Sequence, residues 1–440
     1  MVSIYTKYLQ VFNAEQFKES VAQTTGATKL YFAYGKVTPW DDENNPMPAN
    51  TSVNMQTNLW KHMIGAKLLT GNDIYHVIPR YDWAANTYFS MYDDCACPLY
   101  NTVFYTVTSD WNVYKCLYNA NSGPSTVKPT QTVTNGTVTE VDGYIWKYMY
   151  TISPAEQLKF TTDGYIPVKT LTADDNSLQW DVQDQAANGA IESYKIVSRG
   201  TNYRANSNVY VTIAGDGIDA NAYCTVNTAS NTIATLVIDN KGSGYTYATA
   251  TITDATGQGS GASIRLIMGP FNGHGSDPMR ELGGSYLMIN PRLQNSESNY
   301  LPTVNDYRQV ALIKDPFRRG TSNISSNSVV KQYTTLTLNG TSLTDYVQDE
   351  QVYQSTVFGS ATFTGTVLEY GNNIIKLTNT TGVPTLDLLT GANSTASKFV
   401  DSITYPELER YSGQILYIDN IKAILRATDQ TEDFKIILSF

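Results

Sequence analysis

Charge is scarce in this chain. Asp, Glu, Lys and Arg make up 16% of its 440 residues, against ~25% in ordinary soluble domains. The charge present leans acidic, with 30 Lys and Arg against 40 Asp and Glu and a formal net charge of -10. Nucleic acid is therefore excluded as a partner, because phosphate binding needs clustered cations. The densest basic stretch, 314-KDPFRRG-320, carries its own Asp315. An anionic membrane surface is excluded on the same ground. Cysteine is equally sparse: Cys95, Cys97, Cys116 and Cys224 are too few to build a disulfide framework. No apolar run approaches the ~18–20 residues that span a bilayer. The opening MVSIYTKYLQVFN also lacks a signal-peptide pattern. Folding in a reducing cytoplasm is expected.

The space left by charge is filled by Thr, Asn, Ser, Gly and above all 32 Tyr. Tyr and Thr suit a pleated, half-buried surface, and Gly and Asn suit tight turns. A mainly β chain is expected, and its length calls for more than one compact unit. Residues 143–152, GYIWKYMYTI, read as a strand apolar on both faces, and 307–313 and 434–440 read as further core strands. Helices are expected at three places. Asn13 with Gln16 forms a capping box, followed by Phe17 and Val21 and a stop at Gly26. Ser153, Pro154 and Glu156 make a stronger start signal. Asn58 to Leu69 places Leu59, Met63 and Ala66 on one stripe. One more turn is expected over Thr404–Arg410.

The middle of the chain repeats itself. Residues 191-IESYKIVSRGTNY-203 align with 233-IATLVIDNKGSGY-245 at an offset of 42, so Ile191, Ile196, Gly200 and Tyr203 fall on Ile233, Ile238, Gly242 and Tyr245. Each copy reads as strand, Gly turn, Tyr anchor, strand, turn, strand, and one copy alone buries too little to stand by itself. A second candidate module, from about 331 to 400, contains a hairpin pattern over 362–382 turning at Gly371-Asn372-Asn373. The resulting expectation is a layered β-sandwich core with a few short helices in loops and two inserted small β-modules. The core would be assembled from 1–187, 269–330 and 401–440, and the modules would be 188–268 and 331–400.

Residues able to carry chemistry are few. His62 and His76 sit on expected elements and read as structural. His274 lies in 269-GPFNGHGSDPMRELGG-284 beside Asp277 and Glu281, the most site-like loop in the chain. It lacks metal-ligand spacing, and a tight connection explains its glycines equally well. Cys95, Cys97 and Cys116 lack the second CxxC or HxxxH that a metal site needs. Asp41-Asp42-Glu43 and Asp93-Asp94 read as solvated turns, and Arg80 with Asp82 as a structural pair. No nucleophile elbow, P-loop or dinucleotide fingerprint occurs. The expectation is no catalytic, cofactor-binding or metal-binding residue: an acidic, β-rich binding or structural protein.

Five aromatic-rich blocks carry a resemblance. They are 31-YFAYGKVTPW-40, 59-LWKHMIGAKL-68, 77-VIPRYDW-83, 142-DGYIWKYMY-150 and 414–440, in which Asp429-Gln430-Thr431-Glu432 leads into a terminal strand ending at Phe440. In order and spacing they resemble the baseplate wedge subunit family of T4-type contractile-tailed bacteriophages, the gene-eight product. The stretch 305-NDYRQVALIKDP-316 is a weaker match. The resemblance implies a homodimeric structural subunit of the virion's tail baseplate, assembled in the host cytoplasm. It would touch other wedge subunits and link to the tail-fibre network, without cofactor or enzymatic activity. The alternative reading is a receptor- or glycan-binding tail protein, with the duplicated block as the binder.

Overall fold

The computed structural model describes residues 6–23, 25–95, 99–204, 209–297, 300–302, 305–425 and 429–440. Strand accounts for 42% and helix for 13%, so the chain is mainly β, as its Tyr- and Thr-rich composition implies. The chain divides into two compact units. One comprises Met1–Glu15, Tyr75–Met288 and Ile437–Phe440, the other Gln16–Ile74 and Ile289–Ile436.

In the second unit a five-stranded antiparallel sheet runs in the order Val329–Lys331, Met63–Leu68, Leu30–Gly35, Tyr307–Lys314, Gln414–Ile424. The first and last hundred residues therefore share one sheet: Ala33 pairs with Ala311, which pairs with Ile418. Tyr31, Trp60, Met63, Ile313 and Leu408 form its core. A closed six-stranded barrel follows in the chain, from Thr334–Asn339 to Ser397–Thr404, filled by Leu336, Val352, Phe363, Ile375 and Leu377. Its longest hairpin joins Phe363–Gly371 to Ile374–Gly382. Asn372 and Asn373 supply the positive φ values of 50° and 59° at its turn, the conformation that tight hairpins require.

In the first unit, the sheet Tyr105–Val107, Asn112–Asn119, Tyr144–Thr151, Val138–Thr139 is buried on both faces. Val113 and Met149 feed one apolar cluster, and Tyr114, Cys116, Trp146 and Tyr148 feed another. The duplicated block follows. Repeat one contributes strands Ile191–Thr201, Val209–Gly215 and Asn221–Asn227, and repeat two contributes Thr232–Asn240, Ala248–Asp254 and Ser260–Met268. The offset of 42 reappears in the pairing. Ala222 opposite Ile238 recurs as Ile264 opposite Ile196, and Cys224 opposite Leu236 recurs as Leu266 opposite Tyr194. Even the bulges repeat, between Asn221/Ala222 and Thr225/Val226 in one pair and between Ser263/Ile264 and Ile267/Met268 in the other. Each repeat thus sends its last strand to the first strand of the other copy, and the two middle strands pair across the pseudo-twofold axis. The Tyr anchors end up buried: the Tyr203 ring packs on Gly259, and the Tyr245 ring packs on Gly217.

Three helix expectations need correction. The first helix spans Lys7–Ala22, with Asn13 inside it. Thr6 begins it, its Oγ1 accepting from the Leu9 amide at 3.3 Å, so the Asn13/Gln16 pattern is a surface feature of an established helix. The second spans Val53–His62, capped by Ser52, and Met63–Leu68 is a strand. Met63, Ile64, Gly65 and Ala66 are buried on both faces, and such a run carries no periodicity to separate helix from strand. Residues 404–410 form no helix; Leu408 bridges Arg318 instead. The Ser153 start is as read: Ser153 and Glu156 cap each other, with the Glu156 carboxylate 2.9 Å from the Ser153 amide.

Candidate functional site

The first unit holds a charged cluster inside its core. Lys115 and Lys147 stand opposite each other on neighbouring strands. Their side chains are 0% and 1% exposed. Two ammoniums cannot share an apolar interior unless acids neutralise them, and two glutamates do so. The Glu281 carboxylate lies 2.7 Å from Lys115, and Glu192 lies 3.7 Å from Lys147 and 3.5 Å from Lys241.

The loop 269–284 delivers the other half of the cluster. His274 is fully buried, its Nδ1 2.9 Å from the Lys115 ammonium. Lys115 can only donate, so Nδ1 accepts and the ring proton sits on Nε2. Burial, reinforced by Lys115, holds His274 well below the usual imidazole range, so the ring is neutral. The Tyr92 ring covers both groups, 4.2 Å from the Lys115 ammonium and edge-on to His274. Burial lowers the Lys115 pKa, and Glu281 acts against that shift. The second Glu281 oxygen accepts from the Gly275 and Asp277 amides at 2.7 and 3.2 Å. Asp277 caps the short helix Pro278–Glu281 through the Arg280 amide and also receives the Thr170 hydroxyl. The loop that looked most like a site from its sequence is thus a buried lock, in which Lys115, Glu281 and His274 Nδ1 bind one another while His274 Nε2 has no hydrogen-bond partner among the described residues. Its lysines and Glu192 escaped the sequence reading. The signal was a lone Lys inside an otherwise apolar, two-faced strand, as in 112-NVYKCLYN-119 and 144-YIWKYMYT-151.

The other candidates have structural occupations. Asp93, Asp94 and Cys95 place ligand-type atoms within 4.8 Å of one another. However, Arg265 binds the two carboxylates at 2.6 and 2.5 Å, and a cation would have to displace it. Cys97 lies outside the described residues. Cys116 and Cys224 are buried, and burial pushes the Cys116 thiol well up. Arg80 pairs with Asp82 at 3.0 Å and lies over the Trp111 ring. His76 bonds the Gly284 carbonyl at 2.9 Å. In the other unit, Glu43 pairs with Arg308 and accepts from the Trp40 amide, while Asp41 and Asp42 stay in an exposed turn. Burial, then Lys36 and Lys61, pushes His62 down to about 4.

Residues 3–133 match the family described as Bacteriophage T4, Gp8. Three of the five aromatic blocks fall inside that segment. The chain is also similar to the baseplate wedge protein gp8 of Enterobacteria phage T4, 24% identical over 205 residues that make up 38% of this chain. The chain spans about 60% of the length of that curated relative. The resemblance first seen in short aromatic blocks therefore holds, at modest identity and over part of the chain.

Proposed function

We propose that this chain is a structural subunit of a bacteriophage tail baseplate wedge, working as a homodimer that joins neighbouring wedge proteins and the tail-fibre network. The observation that carries the reading is the family match over residues 3–133. The duplicated block and the barrel are then additions that extend the contact surface.

Two physical features support the role. The buried Lys, Glu and His groups are engaged with one another and stiffen the fold. Large apolar side chains, meanwhile, stand out on regular elements. Tyr8, Leu9 and Phe12 are 59%, 43% and 50% exposed on the first helix. On the barrel, Leu388 and Phe399 are register partners, 40% and 59% exposed. Contiguous exposed apolar groups of this kind mark protein contacts, and aromatic residues supply most of the energy at such interfaces.

The decisive experiment deletes the gene from the phage and images the particles. Tails lacking a complete baseplate, restored by supplying the chain in trans, are expected. Complete, infectious tails assembled without it would overturn the reading. Light scattering on the purified chain tests the dimer separately, and a persistent 48.7 kDa species would remove that part.

A further inference from the structure

Three neighbouring strands of the duplicated block form a sheet face without charge. Asn221–Asn227, Val209–Gly215 and Ala248–Asp254 lie side by side in that order. Their one charged residue is Asp254, which is buried and accepts from the Thr256, Gln258 and Gly259 amides at 3.0, 3.2 and 2.7 Å. Val209, Val211, Ala222 and Cys224 pack into the core, so the alternate side chains face solvent. Tyr210 and Tyr223 are register partners, 55% and 49% exposed. Exposed Thr253 stands opposite Tyr210, and exposed Thr212 stands opposite exposed Thr251. Exposed rings grouped away from charge mark a binding surface. The duplication sharpens the point. Tyr223 opposite Val237 recurs, at the offset of 42, as Arg265 opposite Lys195. There the chain supplies its own partner, the turn whose Asp93 and Asp94 hold Arg265. At the equivalent place the rings stand open.

We propose that the Tyr210–Tyr223 face binds a neutral, extended oligosaccharide. The two phenol rings would lie against the C–H faces of successive sugar rings, and the threonines would exchange hydrogen bonds with the sugar hydroxyls. Charge, area and hydrogen bonding select this class. The face has no cation to hold a phosphate or carboxylate and no exposed acid to hold a cation. Three strands of seven residues each cover about 330 Å², at ~4.8 Å between strands and ~3.3 Å per residue. A stable protein interface needs ~800 Å² per partner, so the face is too small to hold a second copy of the chain by itself. A slender linear ligand fits it. Threonine and tyrosine hydroxyls both donate and accept, as sugar hydroxyls do. Register partners stand about 4.5–5.5 Å apart at Cβ, the width of one sugar ring, so adjacent rings of the ligand can each meet a tyrosine. This inference stands apart from the assembly role.

The test is saturation-transfer difference NMR on the full chain with maltohexaose, cellohexaose, mannohexaose and N-acetylchitohexaose. At least one of these is expected to receive saturation, and titration then gives its affinity. Tyr210→Thr and Tyr223→Thr keep a good strand former at an exposed position and should each weaken binding about three- to tenfold. Melting temperatures measured alongside should stay unchanged. Tyr210→Phe keeps the ring and should bind like the parent chain. Lys195→Ala, at an exposed position on the pseudo-symmetric side, should change nothing. The proposal is overturned if none of the four sugars responds, or if binding is unchanged in the double variant Tyr210→Thr/Tyr223→Thr. It is equally overturned if the double variant binds sugar like the parent chain yet fails to complete baseplates when supplied in trans, which would make the face a protein contact.

Discussion

The buried lock makes a quantitative demand on the Lys115–Glu281 pair. Their side chains are 0% and 3% exposed and their charged atoms are 2.7 Å apart. Removing one member of a buried pair while the other stays charged typically costs about 3–5 kcal/mol. Glu281→Ala should lie at the upper end, since it also strips the acceptor from the Gly275 and Asp277 amides. Lys115→Met should lie at the lower end, because those two amides continue to stabilise the Glu281 carboxylate. The double variant Lys115→Met/Glu281→Gln removes both charges while keeping shape and much of the amide bonding. It should therefore be less destabilised than the sum of the singles, with a coupling of about 2 kcal/mol or more. In a unit of this size, 1 kcal/mol shifts a melting transition by about 2–4 °C, so the singles should melt about 6–20 °C lower. The assay is calorimetry of the full chain, with the transition assigned to the first unit by hydrogen exchange of the strands Asn112–Asn119 and Tyr144–Thr151. Strictly additive variants, or a Glu281→Ala loss below about 1 kcal/mol, would show that the pair is not desolvated as described.

Three further outcomes follow from named geometry. His274 and His62 are both held below the usual histidine range, so the unfolded chain binds more protons once pH drops past ~6.5. Stability should be level above that pH and decline as pH falls towards the folded-state values. A melting temperature that rises on going from pH 7 to pH 5 would contradict this. Gly200 and Gly242 share φ of 62°, and a Cβ at either would sit 2.5 Å from backbone atoms. Each Gly→Ala variant should therefore cost more than about 1 kcal/mol, by similar amounts, and urea melts giving one large and one negligible loss would break the symmetry argument. Cys95 is exposed while Cys116 and Cys224 are buried, with burial pushing Cys224 up to about 12. Maleimide labelling followed by peptide mapping should modify Cys95 in the native chain and reach the other two only on unfolding.

Some of this architecture could be read from local sequence, and the reasons are specific. The strand 144–151 announced itself through alternating aromatics, and the hairpin at Asn372-Asn373 through the residues that tolerate positive φ. Ser153 and Glu156 wrote their cap in three positions. Met63–Leu68 could not be read, because a strand covered on both faces loses its period of two. Its Gly65 is held within contact of Tyr34 and Val330, neighbours only in space. Passage between the two units is equally silent: the changes near residues 74 and 288 fall at or within the strands Ile74–Pro79 and Tyr286–Ile289, without a Pro- or Ser-rich linker. The buried lock is invisible for a related reason. Lys115, Lys147, Glu192 and Glu281 lie up to 166 residues apart, and each alone resembles a surface charge.

The duplicated block shows how a symmetric scaffold acquires asymmetric contacts. Its pairing registers repeat down to the bulges, so the backbone treats the two copies alike, and differences must come from side chains at equivalent positions. Two of those differences lie at the start of the first strand. Ser193 donates to the Leu117 carbonyl at 2.5 Å, whereas its counterpart Thr235 bonds Thr225 within the block. Glu192 meets Lys147 of the central sheet, whereas the Ala234 carbonyl accepts from Arg199 of the other repeat. Repeat one thus grips the central sheet through Ser193 and Glu192, while repeat two reaches outside the block through Arg265, which binds Asp93 and Asp94. A buried acid is stable in repeat one because Lys147 lies beneath it. At position 234 the same acid would have only Arg199, which is already committed to two carbonyls. The buried acid therefore occurs once, at the join between block and sheet, although its backbone frame is present twice.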